Sequence, residues 1–267
     1  MPSSNDLKPP DLTRVEQAFD FEQWARLGFA IADRPVLASD VGDLRSEYAR
    51  LIRDLDELPH PPARYAIKDP QEQDSLDLLS HPHWSSGVVE RIALSPDLGR
   101  LAADLLGVRR IRLWGTSFIC KYAGAPSKNA IRWHRDMTSW QCLSAPRLLT
   151  FWVALESVSP ANGGMEFAAG SHRVEAAGLG DDADLDDYDG HPIVGPAGTM
   201  SAHHCLTGHR SGPNRSPSDR IAMTLHYMDA DLHYVPGTAS DKHINVSLIA
   251  DRNNEIDETY FPIVYGA

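Results

Sequence analysis

Apolar positions recur at helical spacing over the first hundred residues and at strand-like spacing after them. Phe21, Trp24, Ala25 and Gly28 fall on one face of a first helical segment. A second opens at Ser39, a residue suited to capping, and carries Val41, Leu44, Tyr48, Leu51 and Leu55 as its stripe. His60-Pro61-Pro62 breaks that pattern. Ser95-Pro96-Asp97 then supplies a cap, a first-turn proline and an early acid, Leu98, Leu101 and Leu105 form the apolar face, and Gly107 closes it. Residues 1–14 read as a tail, and about 15–107 as mostly helical.

Beyond residue 107 the segments shorten and fill with β-formers. Ile111–Cys120, Arg147–Leu155, Gly198–His203 and Ile221–Met228 are bounded by Gly, Pro, Asn and Ser clusters, which predicts a β core over about 108–250. No repeat or linker interrupts the chain, so one domain is expected across 1–267. Two insertions stand out, Gly178–Gly190 and Val235–His243. The first is rich in aspartate but lacks the glycine and terminal glutamate of an EF-hand loop, so it reads as a solvated loop.

Composition narrows the partners. The 267 residues are 42% hydrophobic and 23% charged, with a net charge of −12. An acidic surface repels phosphate backbones, which counts against nucleic acid. Cys120, Cys142 and Cys205 are an odd number without framework spacing, as expected of reduced thiols. The opening residues lack an apolar leader and no stretch approaches 18 consecutive apolar residues, so a cytoplasmic protein with no membrane contact is expected.

The chemistry concentrates in two stretches. In the first, His134-x-Asp136 would bring an imidazole and a carboxylate to one face of an extended segment. That supplies two of the three ligands of a 2-His-1-carboxylate site for non-haem Fe(II). The pair is weak alone, since 12 His and 37 acids give about 1.7 such matches by chance. The second stretch, Met200–Ser216, offers three histidines by residue type, His203, His204 and His209, and Arg220 follows it.

The order His134-x-Asp136, Asn162-Gly-Gly-Met165, Gly170-Ser-His172, His209-x-Ser211-x-Pro213-Asn214-x-Ser216 and Arg220 resembles the phytanoyl-CoA dioxygenase family of Fe(II)/2-oxoglutarate oxygenases, from about Phe19 to Tyr227. The resemblance implies that His134, Asp136 and His209 bind iron, with His203 and His204 in supporting positions. It implies that Arg220 grips the distal carboxylate of 2-oxoglutarate, which its planar fork suits, and that Ser211 adds a hydrogen bond there. Trp152 matches a tryptophan lying against the cosubstrate, Trp140 an aromatic beside the iron in some relatives, and Lys68 loosely a pocket lysine. No catalytic residue is expected beyond the metal ligands. Trp133, Phe151, Trp152 and Phe118 also read as plain core, His172 as structural, Cys205 as a small buried hydrophobe and Lys68 as a surface residue. Thr199 and Arg210 depart from the family pattern, and Arg210 is placed where it could face the substrate.

The implied fold is mainly β, a double-stranded β-helix (cupin-like jelly-roll) with the N-terminal helices packed on one sheet. Loops 60–80, 156–165, 178–192 and 230–243 are candidates for a lid. The implied reaction uses Fe(II), O₂ and 2-oxoglutarate, which is decarboxylated to succinate, to oxidise a small organic molecule. A specialised metabolite fits better than a CoA thioester, for which no basic cluster is present. Hydroxylation is the simplest outcome, with desaturation, epimerisation and cyclisation open to the same chemistry. Two other readings stand beside it: a jelly-roll enzyme using Zn or Mn without an oxo acid, and a non-catalytic binding protein of the same fold. Oligomeric state is not legible.

Overall fold

The structure, a computed structural model, describes residues 9–10, 12–68, 74–124, 129–174, 183–250 and 253–266. Most of the expected tail (1–8 and 11), residues 69–73 of the 60–80 loop and residues 178–182 of the acidic insertion lie outside the described residues.

Two antiparallel sheets form the core. The expected strands appear as β4 (Ile111–Lys121), β6 (Leu148–Ala154), β9 (Met200–His204) and β11 (Arg220–Asp229). They join β1 (Phe29–Ile31), β2 (Ala63–Lys68) and β3 (Asp74–Ser80) in the order β1-β9-β6-β11-β4-β3-β2, and β12 (Ile263–Tyr265) also pairs with β4. The smaller sheet runs β5-β10-β7-β8, from β5 (Ile131–His134), β7 (Met165–Ala168), β8 (Gly190–Pro192) and β10 (His209–Ser211). This is the expected jelly-roll, with its larger sheet extended at both edges.

Period-two alternation sorts the larger sheet into two faces. Leu149, Phe151 and Val153 of β6 and Met223, Leu225 and Tyr227 of β11 face outward. There they meet Leu44, Tyr48 and Leu51 of α2 (Val41–Arg53) and Leu98, Leu101 and Leu105 of α4 (Pro96–Leu106) in one apolar cluster. Each such side chain contributes roughly 1.5–3 kcal/mol by leaving water. Thr150 and Trp152 of β6, with Arg220, Thr224 and His226 of β11, occupy the opposite face and line a cavity between the sheets. The helices therefore brace the outer face, and the inner face is left for chemistry.

The span 15–107 is mostly helical as expected, but β1, β2 and β3 also lie within it. Three local expectations need correction. The segment 60–80 is largely a hairpin, not a loop. Its strand β2 is exposed from Arg64 to Lys68, so it shows no buried face from which a period could be read. In α1 (Phe21–Leu27) only Trp24 is buried, while Phe21 and Ala25 are exposed. The next helix starts two residues after Ser39, with Asp40 at the N-cap. A further helix, α3 (Gly87–Ala93), is capped by the Ser86 hydroxyl, which accepts from Val89 N. The third segment behaves as read: Ser95 precedes Pro96, and Gly107 ends α4 in the left-handed conformation.

Candidate active site

The end of β5 and the start of β10 pair so that His134 lies opposite His209, with ring centroids 4.1 Å apart. Arg135 is extended (φ −110°, ψ 136°), and Asp136 opens the one-turn helix α5 (Asp136–Ser139). His134 and Asp136 thus turn toward one point. Arg135, between them, is buried and reaches away to Asp184 at 2.6 and 2.9 Å. One ligand atom from each of His134, Asp136 and His209 lies within 4.8 Å of the others.

Second contacts fix which atoms face inward. His134 Nδ1 lies 2.9 Å from the Arg132 carbonyl, and His209 Nδ1 3.1 Å from that of Thr207. A carbonyl only accepts, so each Nδ1 carries the proton and each Nε2 keeps a free lone pair. Asp136 Oδ1 is 3.6 Å from His209 Nε2, Oδ2 is 3.3 Å from His203 Nε2, and Oδ2 accepts from Thr150 Oγ1 at 2.7 Å. Burial pushes the Asp136 carboxyl up, but the facing His209 and His203 outweigh it and hold it well below the ordinary carboxylate range. Burial, then neighbouring His134, drives His209 far down, so its ring is neutral. Two bare imidazole nitrogens and one carboxylate at the cavity wall would suit a divalent transition metal, which His134, Asp136 and His209 would hold.

That cavity, about 500 Å³, also holds the other expected residues. Arg220 is 2% exposed, and its Nη2 donates to Gly163 O at 2.9 Å. Its Nε and Nη1 are buried without a hydrogen-bond partner. Burial lowers its pKa to about 10, which leaves it charged at neutral pH. Trp152 lines the cavity on the inner face of β6, its ring centroid 5.8 Å from the Arg220 guanidinium carbon. Ser211 Oγ accepts from Lys121 Nζ at 2.6 Å. Trp140 lines the cavity further along, edge-on to His226 at 5.0 Å, and donates from Nε1 to His243 Nε2 at 3.3 Å.

Other expectations resolve into packing. His203 sits beside Asp136, whereas His204 packs edge-on against Trp24 at 6.2 Å. His172 fills the space over Gly28, where a Cβ would collide with its ring. Phe118 and Phe151 join the outer cluster and Cys205 a second apolar cluster. Lys68 is exposed and outside the cavity wall. Thr199 Oγ1 bonds Pro196 O. Arg210 does not face the cavity: it pairs with Glu166 at 2.9 Å and lies 4.5 Å over Trp133.

The acidic insertion is not simply solvated, because Asp184 neutralises buried Arg135 and Leu185 packs fully buried against Gly208. Nor does the described part of 178–192 line the cavity, whereas Lys242 and His243 of 230–243 and Tyr65, Leu78 and Ser80 of the 60–80 segment do.

Sequence reading missed Lys121, fully buried at the end of β4 and register-paired with Arg220. Its Nζ lies at hydrogen-bond distance from Ser211 O (3.0 Å), Ser211 Oγ and Gly212 O (both 2.6 Å), while burial and then Arg220 lower its pKa to about 6. The available signal was a lysine two places beyond Ile119 on the same strand face. His81, His226, His243 and Asn245 also line the cavity and were not singled out.

The chain is similar to several known proteins. A curated relative, the probable alpha-ketoglutarate-dependent hypophosphite dioxygenase of Stutzerimonas stutzeri, is 28% identical over 183 residues. That match spans 63% of this chain and 62% of the relative's length. Among solved structures, the non-heme alpha ketoglutarate dependent epimerase SnoN from nogalamycin biosynthesis superposes with a TM-score of 0.74 at 24% identity, covering 95% of this chain and 97% of its own. The carbocyclase SnoK of the same biosynthesis gives 0.73 at 22%, covering 97% of each chain. EctD from S. alaskensis, solved with bound Fe, gives 0.68 at 23%, covering 80% and 77%. The model of the family described as Phytanoyl-CoA dioxygenase (PhyH) matches residues 24–222, a span that holds His134, Asp136 and His209 and the buried Arg220 of the same cavity. The chain therefore belongs to the phytanoyl-CoA dioxygenase family of Fe(II)/2-oxoglutarate-dependent oxygenases.

Proposed function

We propose that this enzyme oxidises a C–H bond of a small natural-product-type molecule, most simply by hydroxylation, with His134, Asp136 and His209 holding Fe(II). When bound there, iron and 2-oxoglutarate supply the oxidising power, the oxo acid being decarboxylated to succinate as O₂ is reduced. The chain's own part is to bind, orient and exclude water.

The observation that carries this reading is Arg220. A buried guanidinium with two donor nitrogens unpartnered costs several kcal/mol unless an anion arrives to meet them. The distal carboxylate of 2-oxoglutarate meets that need in the bidentate geometry arginine favours. Ser211, held by Lys121, lines the same cavity and can add a hydrogen bond, and Trp152 walls its side. An enzyme using Zn or Mn without an oxo acid, or a binding protein with no chemistry, leaves Arg220 unexplained. Trp114, Trp140, Met165 and Ile119 line the cavity with apolar surface that keeps water from the reacting carbon. The natural-product assignment draws support from SnoK and SnoN, which share the fold and act in nogalamycin biosynthesis.

The test is anaerobic absorbance with Fe(II) and then 2-oxoglutarate, on wild type and Asp136→Ala. A visible charge-transfer band is expected in wild type, because the oxo acid chelates an open Fe(II) face, and none in the variant. Stoichiometric Fe(II) binding without a band in wild type sinks the oxygenase reading.

A further inference from the structure

Away from Arg220, the cavity has a wall of polar groups that the chemistry above leaves unused. His81 follows β3 in the left-handed conformation (φ 63°), which a non-glycine residue holds only under constraint. Its backbone N–H is tied to Thr116 O at 2.8 Å, and its ring stacks on Trp84 at 4.4 Å. Neither ring nitrogen of this 3% exposed side chain makes a well-formed hydrogen bond, although the Asn245 side chain lies close enough to interact with it. A half-turn of the ring exchanges nitrogens for carbons at almost no steric cost, so either edge can present a nitrogen to the cavity. Gly115 leaves the space beside it: a Cβ there would sit 3.3 Å from His81 Nε2.

Asn245, 1% exposed, continues the wall. Its Nδ2 donates to Trp114 O at 2.8 Å, but its Oδ1 has no partner, and neither has Trp114 Nε1. His243 is over-supplied with donors, because Trp140 Nε1 approaches its Nε2 (3.3 Å) and Asn245 N its Nδ1 (3.2 Å). A neutral imidazole accepts at one nitrogen only, so its own N–H also lacks an acceptor. Burial lowers His81 to about 3 and His243 to about 4, which keeps both neutral.

Charge is the other half of the pattern. Among the described residues lining the cavity, Asp136 is the single acid, and on this wall the one cation is Lys242, exposed at its rim. An ammonium-bearing ligand finds no free carboxylate here, and a polyanion meets neutral groups. Hydroxyl and carbonyl oxygens, by contrast, satisfy donors and acceptors alike. The indole surfaces of Trp114 and Trp140 add a seat for a ring.

We propose that His81, Asn245, His243 and Trp114 form the substrate-recognition wall, and that the substrate is an uncharged, oxygen-rich cyclic molecule whose hydroxyl and carbonyl groups complete these unmet hydrogen bonds. This rests on the oxygenase reading, since the bound molecule is the one oxidised. Two sources share that chemistry, a flat polyphenol or quinone and a puckered sugar.

The experiment is calorimetric titration of anaerobic protein carrying Fe(II) and 2-oxoglutarate, with the visible band recorded on the same samples. The probes are 1,4-dihydroxyanthraquinone, maltotriose, choline and acetyl-CoA. One uncharged cyclic probe is expected to bind, and which one does so separates flat from puckered substrates. His81→Phe keeps a ring on Trp84 but removes its nitrogens, and Asn245→Leu removes the free oxygen. Each should weaken that probe about 10-fold while the band persists. Tighter binding of choline or acetyl-CoA, binding of neither uncharged probe, or unchanged affinity in both variants overturns the proposal with the oxygenase reading intact. A missing band in wild type overturns both, and is told apart by the band alone.

Discussion

The two ends of the cavity are held by different means. Arg220 lies on β11 beside its cross-strand partner Lys121 of β4, in a register fixed by ten paired positions, and Lys121 in turn holds Ser211 of the opposite sheet. His81, His243 and Asn245 stand on a turn, a loop and the start of α6 (Ile244–Ala250). Charge divides the ends as well: the buried Arg220 guanidinium at the first, neutral rings and an amide at the second. Sheet register holds a group to a fraction of an ångström, as a fixed carboxylate partner requires. Groups on connections can change without disturbing any strand. The charged end is therefore suited to the cosubstrate every turnover uses, and the neutral end to a substrate peculiar to this enzyme.

That contrast can be broken most sharply at Arg220. Arg220→Ala should weaken 2-oxoglutarate by roughly 30- to 1000-fold, the loss of about 2–4 kcal/mol expected when one partner of a buried charge pair is removed. Arg220→Lys should recover only part of this, because a point charge lacks the fork. Titrating the visible band with 2-oxoglutarate reads both. A change below about threefold in the alanine variant would mean the charged end is not the cosubstrate seat.

Thr150 joins the ends, since its hydroxyl lies 2.7 Å from Asp136 Oδ2 and 2.9 Å from His226 Nδ1. Thr150→Val is nearly isosteric and should lower metal affinity about 10- to 100-fold, as loss of an outer partner of a ligand does elsewhere. Competition with a chelating dye measures it. Unchanged affinity would show that His203 alone positions the carboxylate.

The smallest effect expected is a protonation. Burial and Arg220 hold Lys121 near pKa 6, so at pH 7.5 it is largely neutral before the cosubstrate binds. An arriving carboxylate favours the ammonium and raises that pKa. Between the two values the complex holds more protons than the free protein, so binding takes up protons and affinity falls as pH rises through the window. Calorimetry at pH 7.5 in buffers of different ionisation enthalpy should find an uptake of up to about one proton, abolished in Lys121→Met. Proton release in wild type would contradict this.

Much of this was readable from the chain. The β-former-rich segments bounded by turn residues announced β4, β6, β9 and β11, and Ser95-Pro96 with Gly107 bracketed α4 correctly. The motif residues His134, Asp136, His209, Ser211, Trp152, Trp140 and Arg220 do line one cavity. What failed were segments whose patterning was erased by exposure or brevity. Strand β2 has no buried face, and three-residue β1 exists because β9 offers it an edge. Asp184 looked like one more solvated acid, because nothing local shows that Arg135, pointing away from the motif it interrupts, needs a partner 49 positions on.

By itself the sequence determined what is local: strand periodicity, helix ends, and the types and order of residues around His134, His209 and Arg220, since these depend on neighbours a few positions apart. Tertiary structure decided which buried groups lack partners. Lys121 meets Ser211 across 90 positions, and Asn245 meets Trp114 across 131. Whether Arg220 or His81 is satisfied depends on what the rest of the fold brings within 3 Å, which no local pattern encodes.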